Sequence, residues 1–185
     1  MSYTKNRSSI PSVTQPVRSF LNLPFGNNDV QTHKVSKVVQ GNQKQIYDVV
    51  SNVALYKEFV PFVEESYVEK KNGDTAIAGL RVGWKQYDEK FECKMTYKPY
   101  ESVIAESLTL SLFTELHTQW TFKPRKTLHG ESCNVELELK YRFKNPLYNA
   151  MSSMFSDQVT SIMIKAFETR LKKLSYQSKL KNHSS

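Results

Sequence analysis

The chain is poor in the residues that build metal sites and disulfide frameworks. It has two cysteines and four histidines in 185 residues. Cys93 and Cys133 are far apart in the sequence and fit no metal-ligand or redox spacing. Both fall on the apolar side of segments with alternating polarity, so we expect two buried free thiols in a reducing compartment.

Long apolar runs are also lacking. No stretch approaches the roughly 18 to 20 apolar residues that a membrane-spanning helix needs. At 185 residues the chain is long enough for one domain with a sizeable core. The sequence therefore predicts no membrane span.

Motifs of catalysis are absent as well. Neither the H-E-x-x-H nor the G-x-S-x-G pattern occurs. The segment from Gly79 to Gln86 is one residue too short between its glycines to be a phosphate loop, and Gln86 replaces the required hydroxyl. Glu115 and His117 could share a strand face as an acid–base pair. We favour the simpler interpretation that they belong to a polar strand surface.

The net charge of +8 is confined to the two ends of the chain. Residues 1–28 hold three bases and no acid, and residues 145–185 hold six bases and two acids. Between them the charges nearly balance, which argues against nucleic-acid binding through a basic folded face. Residues 1–28 are rich in Ser and Thr and lack an apolar core, which is typical of a mitochondrial presequence; an ordinary disordered arm is the alternative. We divide the chain into this arm, a folded domain over residues 29–175, and a basic disordered tail over residues 176–185.

Alternating polarity predicts an antiparallel sheet with one wet face. The predicted strands cover residues 30–40, 63–71, 75–85, 87–98, 102–112, 117–124 and 132–143. The expected inward residues include Cys93, Met95 and Tyr97 in the fourth strand; Ile104, Leu108, Leu110 and Leu112 in the fifth; and Trp120 and Phe122 in the sixth. Two short helical segments are expected after the first strand, one capped by Asn42 and one over residues 54–59.

Apolar residues follow helical spacing between residues 145 and 174 and predict one buried stripe of a helix. They are Leu147, Met151, Met154, Phe155, Val159, Ile162, Met163, Ala166, Phe167, Leu171 and Leu174. Such a helix is roughly 42 Å long, and Pro146 suits its first position. Gly79 and Gly83 indicate sharp curvature or a bulge in the third strand. The expected fold is α+β: a curved antiparallel seven-stranded sheet wrapped around a long C-terminal helix, with two short helices after strand 1. The apolar hollow between sheet and helix is the candidate ligand site, and residues 56–62 could gate it.

Several short motifs support a family resemblance. They are Tyr56-x-x-Phe59-Val60-Pro61-Phe62, Leu80-x-Val82-Gly83, Trp120-x-Phe122-x-Pro124, Cys133, and Phe155…Val159…Ala166-Phe167-Glu168-x-Arg170. Over roughly residues 23–174 the chain resembles the mitochondrial coenzyme Q-binding proteins of the START-like, polyketide cyclase-related superfamily. The family often has Trp-Cys where this chain has Phe62 and Val63, and the aromatic character is kept.

The resemblance implies the helix-grip (START-like) type of this fold. It also implies a non-enzymatic protein on the matrix side of the mitochondrial inner membrane. It would bind ubiquinone as a ligand, with no catalytic cofactor and no metal, and would support quinone delivery to the respiratory chain and efficient quinone synthesis. Respiratory or quinone-biosynthesis complexes are possible partners. Burial of each CH₂ group of the polyprenyl tail contributes about 0.8 kcal/mol, in lipid as in protein. A tail that is already buried in lipid therefore gains little free energy by moving into the protein. We therefore expect the protein to dock on the membrane and to enclose the head group with the first isoprene units.

The residues predicted to contact the ligand are mainly apolar and come from both sides of the hollow. They are Tyr56, Phe59, Val60, Pro61, Phe62, Leu80, Val82, Met95, Tyr97, Trp120, Phe122, Leu139, Tyr141, Phe155, Val159, Met163 and Phe167. Tyr97, Tyr141 and Cys93 are the candidates for polar contact with the head group. The residues predicted to hold the mouth of the hollow against an anionic membrane are Arg170, Lys172, Lys173, Lys179 and Lys181.

Two other functions remain open from the sequence. An enzyme, such as a cyclase or hydrolase, could use the same hollow, but the inward positions offer almost no titratable groups. A ribosome- or RNA-associated protein could use the basic termini, and a proposed ribosome-associating toxin is among the bacterial relatives of the family. Fold alone does not decide between these functions.

Overall fold

A computed structural model describes residues 29–84, 87–127 and 130–183. The predicted arm over residues 1–28 lies outside the described residues, as do the side chains of Phe155, Val159, Lys179 and Lys181. The strands are β1 (Gln31–Gln40), β2 (Val63–Asn72), β3 (Thr75–Trp84), β4 (Tyr87–Lys98), β5 (Ser102–Ser107), β6 (Phe113–Thr127) and β7 (Gly130–Phe143). The helices are α1 (Gln43–Ser51), a 3₁₀ helix (Val53–Glu58) and α2 (Pro146–His183).

The seven strands form one antiparallel sheet in the order β1-β7-β6-β5-β4-β3-β2. Polar and apolar residues alternate along the strands, so one face is wet and the other faces α2. Ile164, Phe167 and Leu171 of α2 are buried in the main core. The Lys37 ammonium in β1 also lies 2.8 Å from the Glu168 carboxylate in α2. The predicted helix-grip architecture is confirmed.

Helix α1 begins after Asn42, as the sequence predicts, and the structure adds the reciprocal bond of a capping box. The Asn42 side chain accepts a hydrogen bond from the Gln45 backbone N–H at 2.8 Å, and the Gln45 side chain accepts one from the Asn42 N–H at 3.4 Å. Ile46 and Val50 are then buried against the sheet. The side-chain amide of Gln43 donates to the Phe122 carbonyl at 3.0 Å, which ties α1 to β6.

Gly79 lets the ring of Tyr67 approach the β3 backbone closely; it does not mark a bulge in β3. The ring of Tyr67 in β2 occupies the place that a Cβ of Gly79 would take. The pairing of β3 with β4 is unbroken, and the register shifts fall instead between β2 and β3. The irregularity predicted for the third strand is therefore found in its pairing with β2.

The prediction for the fifth strand is wrong in extent and in face. β5 ends at Ser107, and Val103 and Ala105 face the hollow, so Ile104 points to the other face. Leu108 and Leu110 lie in the following loop and are exposed. The physical reason is a side-chain bond to the neighbouring strand β4, which ends β5: the Thr109 hydroxyl accepts a hydrogen bond from the Glu92 N–H at 2.8 Å.

Helix α2 continues past the predicted end near residue 174 to His183. Residues 176–183 are therefore helical, against the expectation of a disordered tail. The chain has no Gly or Pro after Pro146, so no residue there breaks the helix. At 38 residues α2 is roughly 57 Å long. Among the described residues, no helix combines the length and the apolarity that crossing a membrane requires.

The buried stripe of α2 also differs from the predicted one. Thr160 and Ile164 are buried, whereas Ile162 and Leu174 of the predicted stripe are exposed. Apolar residues occupy a wide arc of this helix, so their spacing alone leaves the rotation about the helix axis undetermined. Contact with the sheet sets that rotation.

Candidate functional site

A cavity of about 320 Å³ lies between the concave face of the sheet and α2. Every strand except β1 contributes to its wall, together with the 3₁₀ helix, the loop that follows it, and α2. The described residues that line it are Val53, Tyr56, Val60, Pro61, Phe62, Val63, Ala78, Leu80, Val82, Phe91, Cys93, Met95, Val103, Ala105, Phe113, Leu116, Thr118, Trp120, Leu137, Leu139, Ile162 and Met163.

The wall of this cavity is almost entirely apolar. None of the described lining residues carries an acid, a basic side chain or an imidazole. The Tyr56 hydroxyl, buried in the core, donates to the Val50 carbonyl at 2.5 Å, and burial raises its pKa above the ordinary range. Burial also raises the pKa of the Cys93 thiol to about 12. Thr118 adds a neutral hydroxyl to the wall, so the cavity suits an uncharged apolar molecule with a few hydrogen-bonding groups.

Four aromatic rings form a cluster beside the cavity, on the side of the 3₁₀ helix, and two of them, Tyr56 and Trp120, line it. The ring of Phe167 in α2 lies 5.2 Å from Tyr56, 5.1 Å from Phe59 and 5.0 Å from Trp120, measured between centroids. The contacts with Tyr56 and Phe59 are edge-to-face, a preferred geometry for aromatic pairs. This aromatic cluster (Tyr56, Phe59, Trp120 and Phe167) joins α2, the 3₁₀ helix and β6 into one wall.

The structure brings most of the predicted contact residues to the cavity. Those that line it are Tyr56, Val60, Pro61, Phe62, Leu80, Val82, Met95, Trp120, Leu139 and Met163, together with Cys93. Their contact with a ligand remains a prediction. Phe155 and Val159 lie outside the described side chains.

Five predicted contact residues do not line the cavity. Phe59 and Phe167 stand behind Tyr56 and Trp120 in the aromatic cluster. Phe122 packs edge-on against Tyr47 of α1, with ring centroids 5.9 Å apart. Tyr97 packs at the edge of the main core, and Tyr141 stacks on His33. For Tyr97, Phe122 and Tyr141 the cause is that the inward face of a strand extends beyond the cavity, where α1 or neighbouring rings cover it. Phe59 and Phe167 are not on strands and lie behind the rings that border the cavity.

Strand alternation could have found several residues that the sequence prediction missed. Phe91 precedes Cys93 on the same face of β4, and Leu116 and Thr118 precede Trp120 on the same face of β6. Val103 and Ala105 were missed because the opposite face of β5 was chosen. Ile162 was expected on the helix stripe, but no signal marked it as a cavity residue.

The Glu115–His117 pair does not form a site. His117 Nδ1 lies 3.7 Å from the Glu106 carboxylate, on the face of β6 opposite Thr118. This arrangement agrees with a polar strand surface.

Arg170 does not belong to a free basic surface, which corrects its predicted docking role. Its guanidinium lies 2.9 Å from the Glu58 carboxylate and 5.4 Å above the ring of Phe59. Only 16% of the side chain is exposed. Lys172 and Lys173 are exposed, and a docking role for these two and for Lys179 and Lys181 remains a prediction.

The basic end of α2 lies at the opposite end of the sheet from the Pro61–Phe62 rim of the cavity. Helix α2 starts where β7 ends, and there the Tyr148 hydroxyl donates to Glu89 at 2.8 Å. Further along, Leu171 shares a groove with Val49 of α1. β1 ends at Gln40, at the end of the sheet opposite the rim, and α1 follows it. Helix α2 therefore runs from the rim end toward that opposite end, and the exposed Lys172 and Lys173 come after Leu171.

Both thiols are expected to be unreactive in the folded protein. The thiolate is the species that alkylating reagents attack, and burial raises the pKa of Cys133 as well as that of Cys93. At about pH 8 we expect iodoacetamide to label Cys93 roughly a thousandfold more slowly than in the urea-unfolded chain. Mass spectrometry of timed samples measures this, with a free cysteine peptide as the control. Rapid labelling of native Cys93 would show that the cavity opens to solvent more than the structure indicates.

Comparison with known proteins places the chain in a family. Residues 39–168 match the family described as "Polyketide cyclase / dehydrase and lipid transport". The chain is 43% identical over 161 residues to the mitochondrial coenzyme Q-binding protein COQ10 of Eremothecium gossypii, covering 83% of this chain and 78% of that protein. The chain belongs to this family, among the coenzyme Q-binding proteins. The resemblance inferred from the sequence motifs is thus confirmed.

Two further relatives show the breadth of this family. The COQ10 protein of Saccharomyces cerevisiae is 37% identical, over 83% of this chain and 77% of its own. The ribosome association toxin RatA of Pseudomonas aeruginosa is 30% identical, over 71% of this chain and 88% of its own.

Solved structures share the fold. The Zhui aromatase/cyclase of Streptomyces sp. R1128 aligns with a TM-score of 0.67 at 11% identity, over 78% of this chain and 95% of its own. A START superfamily protein of Mycobacterium smegmatis aligns with a TM-score of 0.66 at 18% identity, over 77% of this chain and 98% of its own. At these identities the likeness concerns the fold alone.

Proposed function

We propose that the protein binds ubiquinone in the cavity between sheet and α2 and acts as a non-enzymatic lipid chaperone in the mitochondrion. The observation that carries this proposal is the apolar cavity itself, in a chain that is 43% identical to a mitochondrial coenzyme Q-binding protein. A quinone head group is uncharged and flat, with carbonyl oxygens that accept hydrogen bonds. It suits an apolar wall that holds one or two neutral donors.

The cavity holds part of such a molecule. At about 320 Å³ it is at the lower end of the roughly 300–1,000 Å³ that enclose a drug-sized ligand. A long polyprenyl quinone is larger than that, so the head group and the first isoprene units would occupy the cavity. The rest of the tail would stay in lipid, with the protein peripheral to the inner membrane on its matrix side. Such a protein would support delivery of the quinone to the respiratory chain and to the enzymes of its synthesis.

The lining chemistry favours binding over catalysis. A cyclase or hydrolase needs a positioned acid, base or nucleophile at the substrate. The described wall offers only the Cys93 thiol and the Tyr56 hydroxyl as titratable groups, and burial raises the pKa of both. The hydroxyl of Tyr56 is also engaged with a backbone carbonyl.

Direct measurement of bound lipid tests the function. Protein purified without detergent would be extracted with organic solvent and the extract analysed by mass spectrometry. We expect a prenylated quinone, and we expect the delipidated protein to take up short-tailed ubiquinone in a fluorescence titration through Trp120. Repeated absence of lipid, together with no uptake of quinone, would overturn the proposal.

Thr118 is expected to donate a hydrogen bond to the quinone. A Thr118→Val change keeps the shape of the side chain and removes the hydroxyl. We expect ubiquinone affinity to fall by about fivefold, since a net hydrogen bond contributes about 1 kcal/mol. Thr121→Val, on the opposite face of β6, is the matched control and should bind normally. Unchanged affinity in Thr118→Val would remove Thr118 from the head-group site.

Association with ribosomes is the second candidate, because RatA of Pseudomonas aeruginosa is 30% identical to this chain. The test is sedimentation of the purified protein with ribosomes over a series of salt concentrations. If the protein stays bound to ribosomes at physiological salt and takes up no quinone, ribosome association is favoured over quinone binding.

A further inference from the structure

Apolar side chains are exposed on two loops at one end of the sheet. In an antiparallel sheet the segment that leads into β2 and the loop between β5 and β6 lie at the same end. Phe62 in the first is 41% exposed, and Leu108 and Leu110 in the second are 48% and 70% exposed. We name these three residues the loop-end surface. Large apolar residues exposed together in this way are typical of interaction sites.

Backbone bonds hold both loops in place. Phe62 has a φ of 69°, which is rare for a bulky residue, and its carbonyl accepts a hydrogen bond from the Gly83 N–H at 2.9 Å. The Leu108 N–H donates to the Glu92 carbonyl at 2.8 Å, and the Thr109 hydroxyl accepts from the Glu92 N–H at 2.8 Å. Both loops are thus tied to neighbouring strands.

The loop-end surface is continuous with the cavity. Pro61 and Phe62 are exposed and also line the cavity, so its apolar wall extends to the outside of the molecule at this rim. A ligand tail too long for the cavity would leave across these residues. In water that tail would be exposed, whereas against lipid it would remain buried.

We propose that the loop-end surface docks into a phospholipid bilayer, with Phe62, Leu108 and Leu110 entering the boundary between head groups and acyl chains. This inference rests on the proposed function, since it is the quinone tail that requires lipid at the rim. Lys172 and Lys173 follow Leu171 toward the other end of the sheet, so they do not hold the rim against the membrane. Docking is driven by burial of apolar side chains and therefore needs no anionic lipid.

Co-sedimentation with phosphatidylcholine vesicles tests the proposal. The principal variant is Leu108→Ser/Leu110→Ser, which removes two exposed leucines that do not line the cavity. We expect its vesicle affinity to fall by at least about tenfold, because docking depends on burial of these side chains. The matched control is Tyr176→Ser/Leu180→Ser, which removes two exposed apolar side chains from the other end of the molecule and should bind as the wild type does.

A second pair of measurements separates electrostatic docking from apolar docking. Lys172→Glu/Lys173→Glu is compared with the wild type on phosphatidylcholine vesicles with and without cardiolipin. We expect the wild type to bind both, and the lysine variant to keep its binding to the neutral vesicles. The proposal is overturned if Lys172→Glu/Lys173→Glu loses vesicle binding while Leu108→Ser/Leu110→Ser binds vesicles fully. Docking would then be assigned to the basic end of α2. Binding of the wild type only to cardiolipin vesicles would overturn it too.

Two further readouts complete the test. Light scattering measures the oligomeric state of the protein. If the wild type is a dimer and Leu108→Ser/Leu110→Ser is a monomer, the proposal is overturned, because the surface would then join two copies of the chain. Titration with short-tailed ubiquinone in the absence of vesicles tests the proposed function separately. We expect Leu108→Ser/Leu110→Ser to bind this quinone as tightly as the wild type. If the wild type sediments with vesicles but takes up no quinone, the proposed quinone-binding function is contradicted, whereas the docking surface is not.

Discussion

Filling the cavity with an uncharged side chain is expected to abolish ubiquinone binding and leave the fold intact. Ala105 lines the cavity from β5, and an Ala105→Phe change places a ring in a space of about 320 Å³ that is otherwise empty of protein atoms. A strand tolerates Phe well, and a filled cavity gains van der Waals contacts. We expect ubiquinone affinity to fall at least a hundredfold, or about 2.7 kcal/mol, while the melting temperature stays equal or rises.

The control for this variant comes from the neighbouring position. Ile104 points to the other face of β5, so Ile104→Phe adds volume outside the cavity and should leave quinone binding unchanged. Fluorescence titration measures binding, and circular dichroism with thermal melting measures folding. If folded Ala105→Phe binds ubiquinone as tightly as the wild type, the ligand occupies another part of the molecule.

Removing the central ring of the aromatic cluster is expected to cause the largest loss of stability. Phe167 is 4% exposed and its centroid lies within 5.2 Å of those of Tyr56, Phe59 and Trp120. Phe167→Ala leaves a hole at the junction of α2, the 3₁₀ helix and β6. We expect the free energy of unfolding to fall by about 3–5 kcal/mol, the usual cost of truncating a buried Phe.

Urea unfolding followed by tryptophan fluorescence measures this loss. Tyr176→Ala in the same helix is the control: 65% of the tyrosine is exposed, so the free energy of unfolding should change by no more than about 0.5 kcal/mol. A loss below about 1 kcal/mol in Phe167→Ala would show that the cluster can repack, and that α2 is held mainly by its other contacts.

Alternating polarity was enough to predict most of the sheet and much of the cavity wall. In β4, Phe91, Cys93 and Met95 all line the cavity, as the alternation of that strand indicates. The same pattern failed over residues 102–112, because apolar residues continue at the same spacing beyond the end of the strand. There, hydrogen bonds of Thr109 and Leu108 to Glu92 of β4 end β5 and expose Leu108 and Leu110. Those bonds join residues that are distant in the sequence, and a pattern within one segment does not contain them.

Charge counting failed at Arg170 for a similar reason. The sequence shows a basic run after Glu168 and suggests one charged surface. In the structure Arg170 pairs with Glu58, 112 positions earlier, and covers the ring of Phe59. The fold thus converts one charge of the run into a contact between α2 and the 3₁₀ helix. It also places Lys172 and Lys173 toward the end of the sheet opposite the cavity rim.

The sequence by itself determined most elements of this protein, apart from the extent of β5 and the end of α2. Alternation predicted the strands, the Asn42 cap predicted α1, helical spacing predicted α2, and short motifs predicted the family. Tertiary structure alone decided which arc of α2 is buried, since apolar residues surround much of that helix and only contact with the sheet selects Ile164 over Ile162. It also decided which inward residues border a cavity and which lie beneath α1, as Phe122 does. The physical reason is that periodicity is a local property of the chain, whereas a cavity exists only where elements from distant parts of the sequence fail to fill the space between them.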